Sequence, residues 1–118
     1  MISFAEVEKR LKDAFTEAIV DLDLADRLEW TDPYYLMYRG LYLLYELLGD
    51  KFVIPSIGIR EKGFSATWCK DNREARLICY FNNKSYLYYD DNDYNTVLHN
   101  DSEGDLVEIS KYVLRVWE

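Results

Sequence analysis

The side chains in this sequence that could best take part in catalysis or metal binding are carboxylates gathered in one segment. Seven of them, with no Lys or Arg, lie between residues 90 and 108: Asp90, Asp91, Asp93, Asp101, Glu103, Asp105 and Glu108. A calcium loop needs oxygen ligands at positions 1, 3 and 5, Gly at position 6 and Glu at position 12. Counted from Asp91, the sixth position is Thr96 and the twelfth is Ser102. We therefore expect no metal and no cofactor, and interpret the segment as a solvated loop with a negatively charged helix start or as an acidic patch that binds a partner. A metal site is the third and least favoured alternative.

Nucleophilic catalysis has little support in the sequence. His99 is the single histidine, and no motif places a Ser or Cys nucleophile beside it. So acidic a chain offers many possible pairs of carboxylates for hydrolysis, so the presence of such a pair does not indicate a hydrolase. The chain also lacks Gly-x-Gly-x-x-Gly and the Lys-bearing loop that cradles phosphates. We expect a protein that is not an enzyme.

Tyrosine is the second unusual feature, with eleven in 118 residues. Tyr packs like an apolar residue but needs a partner or water for its hydroxyl, which suits half-buried and interface positions. Four tyrosines follow one stripe of a predicted helix, and we expect them in the core: Tyr35, Tyr38, Tyr42 and Tyr45. Strand tyrosines beside acidic residues are better candidates for a docking surface, because aromatic residues dominate interface hot spots and charges steer association. The predicted partner-binding residues are Tyr80, Tyr86, Tyr88, Tyr89, Asp90, Asp91, Asp93, Tyr94, Asp101 and Glu103.

Composition bounds the class of partner. The formal net charge is −8 and the pI is about 4.6, which disfavours direct binding of nucleic acid or of an anionic membrane. The electrostatic field of this negative charge would instead steer a basic protein partner toward the chain. An acidic N-terminal stretch without an apolar signal core, and two cysteines expected to be free and buried, predict a cytoplasmic protein. The sequence gives no indication of the oligomeric state.

Helices are predicted at both ends of the chain. Ser3 and Glu6 have capping-box spacing, which predicts a helix from about Phe4 to residues 21–23. After a connector anchored by Trp30, Thr31 or Asp32 should cap a second helix, with Pro33 at its first position. The apolar stripe of that helix is Met37, Leu41, Leu44 and Leu48. Ser102 and Asp105 repeat the capping spacing before a C-terminal helix whose stripe is Leu106, Ile109, Val113 and Trp117.

Between the helices, residues 52–89 alternate as strands separated by polar turns. We expect a positive φ at Gly63 in the first hairpin, and either an edge position or a kink for the strand that carries Pro55 and Gly58. The register places Phe64, not Cys69, opposite Cys79, so no disulfide is expected. A short last strand is predicted over residues 96–99. The fold class is therefore α+β in one domain, residues 1–118: two N-terminal helices, a four- to five-stranded antiparallel meander and a C-terminal helix.

Part of this meander resembles small prokaryotic proteins encoded beside toxins. The shared pattern is a Pro-led strand over residues 54–59, a turn at Gly63, a strand ending near Trp68, a strand over residues 77–81 and a Tyr-rich strand over residues 86–89. It covers about a third of the chain. The chain departs from the pattern at Ala66-Thr67-Trp68, where an acidic residue is expected before the Trp. The resemblance implies an antitoxin or immunity-type role exercised by binding, with no catalytic residues carried over.

Three functions are compatible with these features. The first is a non-enzymatic inhibitor that neutralises a toxin or nuclease by occupying its basic surface. The second is a phage-encoded inhibitor of a bacterial defence effector that acts as a nucleic-acid mimic. The third is a small enzyme or ligand-binding domain with an acidic pocket, which would require a strongly shifted carboxylate in a cleft.

Overall fold

A computed structural model describes residues 3–118. It contains α1 (Ala5–Ile19), α2 (Leu24–Glu29), α3 (Thr31–Leu48), a 3₁₀ turn (Gly49–Lys51), β1 (Ser56–Arg60), β2 (Gly63–Lys70), β3 (Arg73–Tyr80), β4 (Ser85–Asp90), β5 (Asn95–His99) and α4 (Glu103–Arg115). The strands form one antiparallel sheet in the order β1-β2-β3-β4-β5. The predicted α+β class, the meander and the edge position of β1 are confirmed. Within residues 3–118, none of the helices is both long and apolar enough to cross a membrane.

The start of α1 differs from the predicted capping box. The Ser3 hydroxyl accepts the Ala5 N–H at 3.2 Å, and the Glu6 carboxylate lies 3.2 Å from Arg10. Since Glu6 faces along the helix toward Arg10, it is not available to cap the turn before it. The capping box predicted for α4 is confirmed, because the Ser102 hydroxyl accepts the Asp105 N–H and the Asp105 carboxylate accepts the Ser102 N–H.

The predicted cap of α3 is also wrong. Trp30 holds the N-cap position, and the Thr31 hydroxyl donates back to the Leu28 carbonyl at 2.7 Å. The extra turn α2 leads directly into α3, so Thr31 is its first residue and Pro33 its third. The missing N–H of Pro33 costs nothing there, because the first four N–H groups of a helix have no intrahelical partner.

Helices α1, α3 and α4 pack on one face of the sheet. Met37, Leu41 and Leu44 of α3 are fully buried against Phe64 and Leu77. Trp30 anchors the connector as predicted, with its ring 5.2 Å from Phe64 and 4.8 Å from Phe81. The indole N–H of Trp68, inside this core, donates to the Val53 carbonyl at 2.7 Å. Burying these large side chains is the main stabilising term of the fold.

The first hairpin uses glycine for a reason other than the one predicted. The positive φ falls on Lys62, at 61°, so the prediction for Gly63 is wrong. A Cβ at Gly63 would overlap the carbonyl oxygen of Cys79 on β3. Gly63 therefore permits close approach of β2 and β3 rather than a left-handed backbone.

The two cysteines are free, as predicted, but only one is buried. Phe64 lies opposite Cys79 in the register of β2 and β3, which confirms the predicted pairing. Burial raises the pKa of the Cys79 thiol to about 12. Cys69 is exposed because it lies near the end of β2, on the face that the helices do not cover.

Candidate functional site

The second face of the sheet is not covered by the helices of residues 3–118. Helices α1, α3 and α4 all contact the same side, and side chains alternate between the two sides along each strand. We call the uncovered side the open face. Its central and lateral side chains are Ser65, Thr67, Arg76, Ile78, Tyr80, Tyr86, Tyr88, Val97 and His99. The predicted docking residues Tyr80, Tyr86 and Tyr88 are therefore brought together on one surface.

Tyr80, Tyr86, Tyr88, Val97 and His99 form a strip across β3, β4 and β5 of the open face, which we call the aromatic strip. The Tyr86 ring lies 6.2 Å from that of Tyr80 on β3 and 5.1 Å from that of His99 on β5. Ile78 lies beneath these rings and is 2% exposed. Tyr88 and Val97 sit opposite each other in the next row, with exposed fractions of 43% and 50%. The strip offers a partner apolar area with hydroxyls at its surface, which is the composition of an interface hot spot.

Val97 and His99 extend this surface beyond the residues predicted for it. The alternation of β4 and its antiparallel register with β5 bring Tyr86 opposite His99 and Tyr88 opposite Val97. The period-two pattern of residues 96–99 would have identified both, once β5 was assigned as the neighbour of β4.

Charges on the open face are balanced rather than acidic. The Arg76 guanidinium pairs with Glu74 at 2.6 Å, and Arg60 and Asp90 also project from this side. Residues 56–80 hold five Lys or Arg against three carboxylates. Residues 3–32 hold nine carboxylates against four basic residues, and residues 81–118 hold eight against three. On the open face itself, Arg60 and Arg76 offset Glu74 and Asp90, and most of the excess negative charge lies in the segments before and after β1–β3.

Tyr89 does not belong to the open face. It alternates with Tyr88, lies on the helix side and is 1% exposed. Its hydroxyl donates to the Asp91 carboxylate at 2.7 Å, and its ring lies 5.2 Å from Tyr112 on α4. The prediction of Tyr89 as a docking residue is wrong, because three helices cover the face to which it points.

Asp91 is held by its own loop. One carboxylate oxygen accepts the N–H groups of Asp93 and Tyr94, both at 2.8 Å, and the other accepts the Tyr89 hydroxyl. The Arg115 guanidinium lies 3.6 Å away. The hydrogen bond from Tyr89, followed by those from the loop, lowers the pKa of Asp91. Its side chain is only 10% exposed, so Asp91 organises the loop and offers a partner little free charge.

Arg115 joins this loop to α4. Its guanidinium lies over the rings of Tyr89 and Tyr94, 5.3 Å and 5.4 Å from their centroids. Tyr94 stacks beside Tyr112 with a centroid distance of 6.4 Å and an interplanar angle of 12°. Tyr94 is thus a half-exposed residue of the α4 side, while Asp90 and Asp93 remain exposed at the loop surface.

The remaining predicted residues lie at the opposite end of β5. Four residue steps separate Asn95 from His99, which is about 13 Å of strand. Beyond it, the Asp101 N–H donates to the Asp105 carboxylate at 2.9 Å, and Glu103 lies 3.9 Å from Arg39. The acidic segment of the sequence therefore does not form one patch. Strand β5 divides it into a group near Asp91 and a group at the start of α4.

A cleft of about 530 Å³ lies between the Asp91 loop and α4. Three basic residues line it, Arg73, Lys111 and Arg115, together with the carboxylates of Asp91, Asp93 and Glu118. The pKa of Asp91 is lowered, which is the opposite of what a general acid at neutral pH requires. In the part of the chain that the structure describes, no three His, Cys, Asp or Glu side chains are grouped to hold a metal ion.

The tyrosine stripe of α3 is more exposed than predicted. Tyr35 and Tyr42 have exposed fractions of 68% and 43%. Tyr38 donates to the Glu8 carboxylate of α1 at 3.1 Å. The core prediction holds only in part. Tyr38 and Tyr45 are partly buried and pack beside Phe4 at the start of α1, with ring distances of 5.7 Å and 5.2 Å, whereas Tyr35 and Tyr42 are exposed.

Comparisons of the chain with protein-family models, with curated proteins and with solved structures found no match.

Proposed function

We propose that this chain is a cytoplasmic, non-enzymatic binding protein that inhibits a basic protein, such as a toxin or nuclease, by covering its working surface with the open face. The observation that carries the proposal is the aromatic strip on a sheet face that no helix of residues 3–118 covers. Tyr88 and Val97 are 43% and 50% exposed there, and Tyr86 is partly exposed beside them.

The charge distribution supports the choice of partner. Carboxylates in residues 3–32 and 81–118 create a long-range negative field, which accelerates encounter with a basic protein. At short range, the charge-balanced open face avoids burying unpaired carboxylates, which would be costly. Steering and contact are thus supplied by different parts of the surface. This arrangement favours a protein partner over direct binding of nucleic acid, whose phosphates the field repels.

The test begins with capture of the partner from the source cells and its purification. Association is then measured for the wild type and for a double variant, Tyr88→Ala with Val97→Ala. A control is Tyr35→Ala, which removes a tyrosine on α3 that is 68% exposed, against 43% for Tyr88, and lies away from the open face. We expect the double variant to weaken binding at least about tenfold, mainly through faster dissociation, because Tyr88 and Val97 are the most exposed apolar side chains of the open face. The control variant should bind like the wild type.

Two further measurements distinguish the proposal from its alternatives. The association rate should fall steeply between about 50 mM and 500 mM salt, since steering is screened over about 10 Å at 0.1 M. The captured partner should lose its toxic or nuclease activity when saturated with the chain. Unchanged binding by the double variant would place the contact elsewhere. Tight binding of a labelled single-stranded oligonucleotide through Tyr86 and Tyr88 would instead identify a nucleic-acid-binding sheet.

A further inference from the structure

A second surface of this molecule lies between α3 and α4, on the helix layer and away from the open face. Two adjoining depressions of about 260 Å³ and 110 Å³ share Leu43, Leu106 and Glu103. Together they form one groove, which we call the α3–α4 groove. Leu47 and Val107 stand in its walls with exposed fractions of 51% and 45%. Large aliphatic side chains that are half exposed on facing helices indicate a surface whose burial by a partner would be favourable.

The rim of the α3–α4 groove is acidic. Glu46 on α3 and Asp101 and Glu103 at the start of α4 surround the apolar floor. The one basic residue in its lining is Arg39, whose contact with Glu103 at 3.9 Å joins two side chains that are each more than 70% exposed. Such an exposed pair is weak and easily exchanged. Glu46 accepts a hydrogen bond from the Tyr42 hydroxyl, which leaves its negative charge uncompensated. The groove therefore combines an apolar floor with exposed carboxylates that can attract cations.

We propose that the α3–α4 groove binds an amphipathic helix of a partner protein, with Lys or Arg flanking the apolar stripe of that helix. Both walls of the groove are helices, whose main-chain groups are already hydrogen-bonded, so an extended peptide would find no strand edge to pair with. A helix satisfies its own backbone and presents apolar residues at i, i+3, i+4 and i+7. The eleven residue steps from Leu36 to Leu47 span about 16 Å, which matches three turns of such a helix.

The negative charge of the rim also disfavours a second copy of this chain as the occupant of the α3–α4 groove. A twofold contact through the same groove would bring Glu46 and Glu103 of one copy against the same residues of the other. Carboxylates in such a contact repel each other, and each copy carries a net charge of −8. A helix with basic flanks converts the same rim into an attractive contact.

The test uses a labelled synthetic peptide of about eighteen residues, with Leu at helical spacing and Lys or Arg at the flanks. Two comparison peptides have the same composition with the Leu residues redistributed, or Glu in place of each cation. Fluorescence anisotropy should show saturable binding of the first peptide alone. The variant Leu47→Ser with Val107→Ser should weaken it about tenfold or more, which corresponds to the loss of two half-exposed aliphatic contacts. Glu46→Lys with Glu103→Lys should weaken it similarly at low salt, with a smaller effect at high salt.

Controls distinguish specific peptide binding in the groove from nonspecific binding and from misfolding of the variants. Tyr88→Ser, on the open face, should leave peptide binding unchanged. Circular dichroism should show native helix content in every variant, because every substituted side chain is exposed. The proposal is overturned if the redistributed or acidic peptide binds equally well, if no saturable binding occurs, or if the groove variants bind like the wild type. It is also overturned if sedimentation shows the wild type self-associating through Leu47 and Val107. None of these outcomes depends on the open face.

Discussion

Replacing Tyr89 by Phe tests the internal role that the structure gives to this side chain. The ring would stay packed on the helix side, 5.2 Å from Tyr112, so no cavity forms. What is lost is one hydrogen bond of 2.7 Å from the hydroxyl to the Asp91 carboxylate. Tyr88→Phe is the matched control, since the same atom is removed one residue earlier on the exposed face.

The magnitude follows from the partners that remain. A hydrogen bond to a charged group contributes about 1.5–3 kcal/mol in favourable cases. After the change, Asp91 keeps two loop N–H groups and the nearby Arg115, and solvent can replace part of the loss. We therefore expect Tyr89→Phe to lower the free energy of unfolding by about 1–2 kcal/mol, which is roughly 4–10 °C in melting temperature for a domain of this size. Tyr88→Phe should change it by less than about 0.5 kcal/mol.

Urea unfolding at pH 7, followed by far-UV circular dichroism, measures both variants. The effect of Tyr89→Phe should also depend on pH. Asp91 has a pKa below its ordinary value of 3.8 in the folded state, so its contribution is complete above pH 3.8 and is lost as the pH falls through the folded pKa. The difference between wild type and variant should therefore narrow in that acidic range. Equal losses for the two variants, or no loss at Tyr89, would refute the assignment of Tyr89 to the helix side.

Two further predictions concern β2 and β3. Gly63→Ala should destabilise the fold by about 1–3 kcal/mol, because its Cβ would overlap the Cys79 carbonyl and force the strands apart; urea unfolding measures this, and wild-type stability would show that the strands can shift freely. Ellman's reagent at pH 8 should label the exposed Cys69 in the native protein and reach Cys79, whose thiol pKa is raised to about 12, only after denaturation. Rapid labelling of both thiols in the native state would contradict the burial of Cys79.

The elements of this fold could be predicted because their signals are local. Period-two alternation and polar turns identified the strands, and the turn position fixed Phe64 opposite Cys79. The spacing of Ser102 and Asp105 predicted the start of α4 for the same reason, since a capping box involves only its own four residues. The same spacing at Ser3 failed, because the Glu6 side chain found a closer partner in Arg10 one turn along the helix.

The candidate site could be predicted only in part. Alternation placed Tyr86 and Tyr88 on one face and Tyr89 on the other, but it carries no information about which face the helices cover. From the sequence, Asp91 is predicted to be one of several surface acids. Its structural role depends on Tyr89 of β4 and on Arg115 of α4, which is distant in the sequence.

The sequence by itself determined the class of the fold, its strand order and the excess of negative charge, because periodicity, turn chemistry and composition are properties of neighbouring residues. The tertiary structure alone decided that three helices cover the same side of the sheet, and hence that the strip of Tyr80, Tyr86 and Tyr88 is open. It also decided that β5 divides the acidic segment into two groups. Burial depends on which distant elements pack together, so no local pattern can specify it.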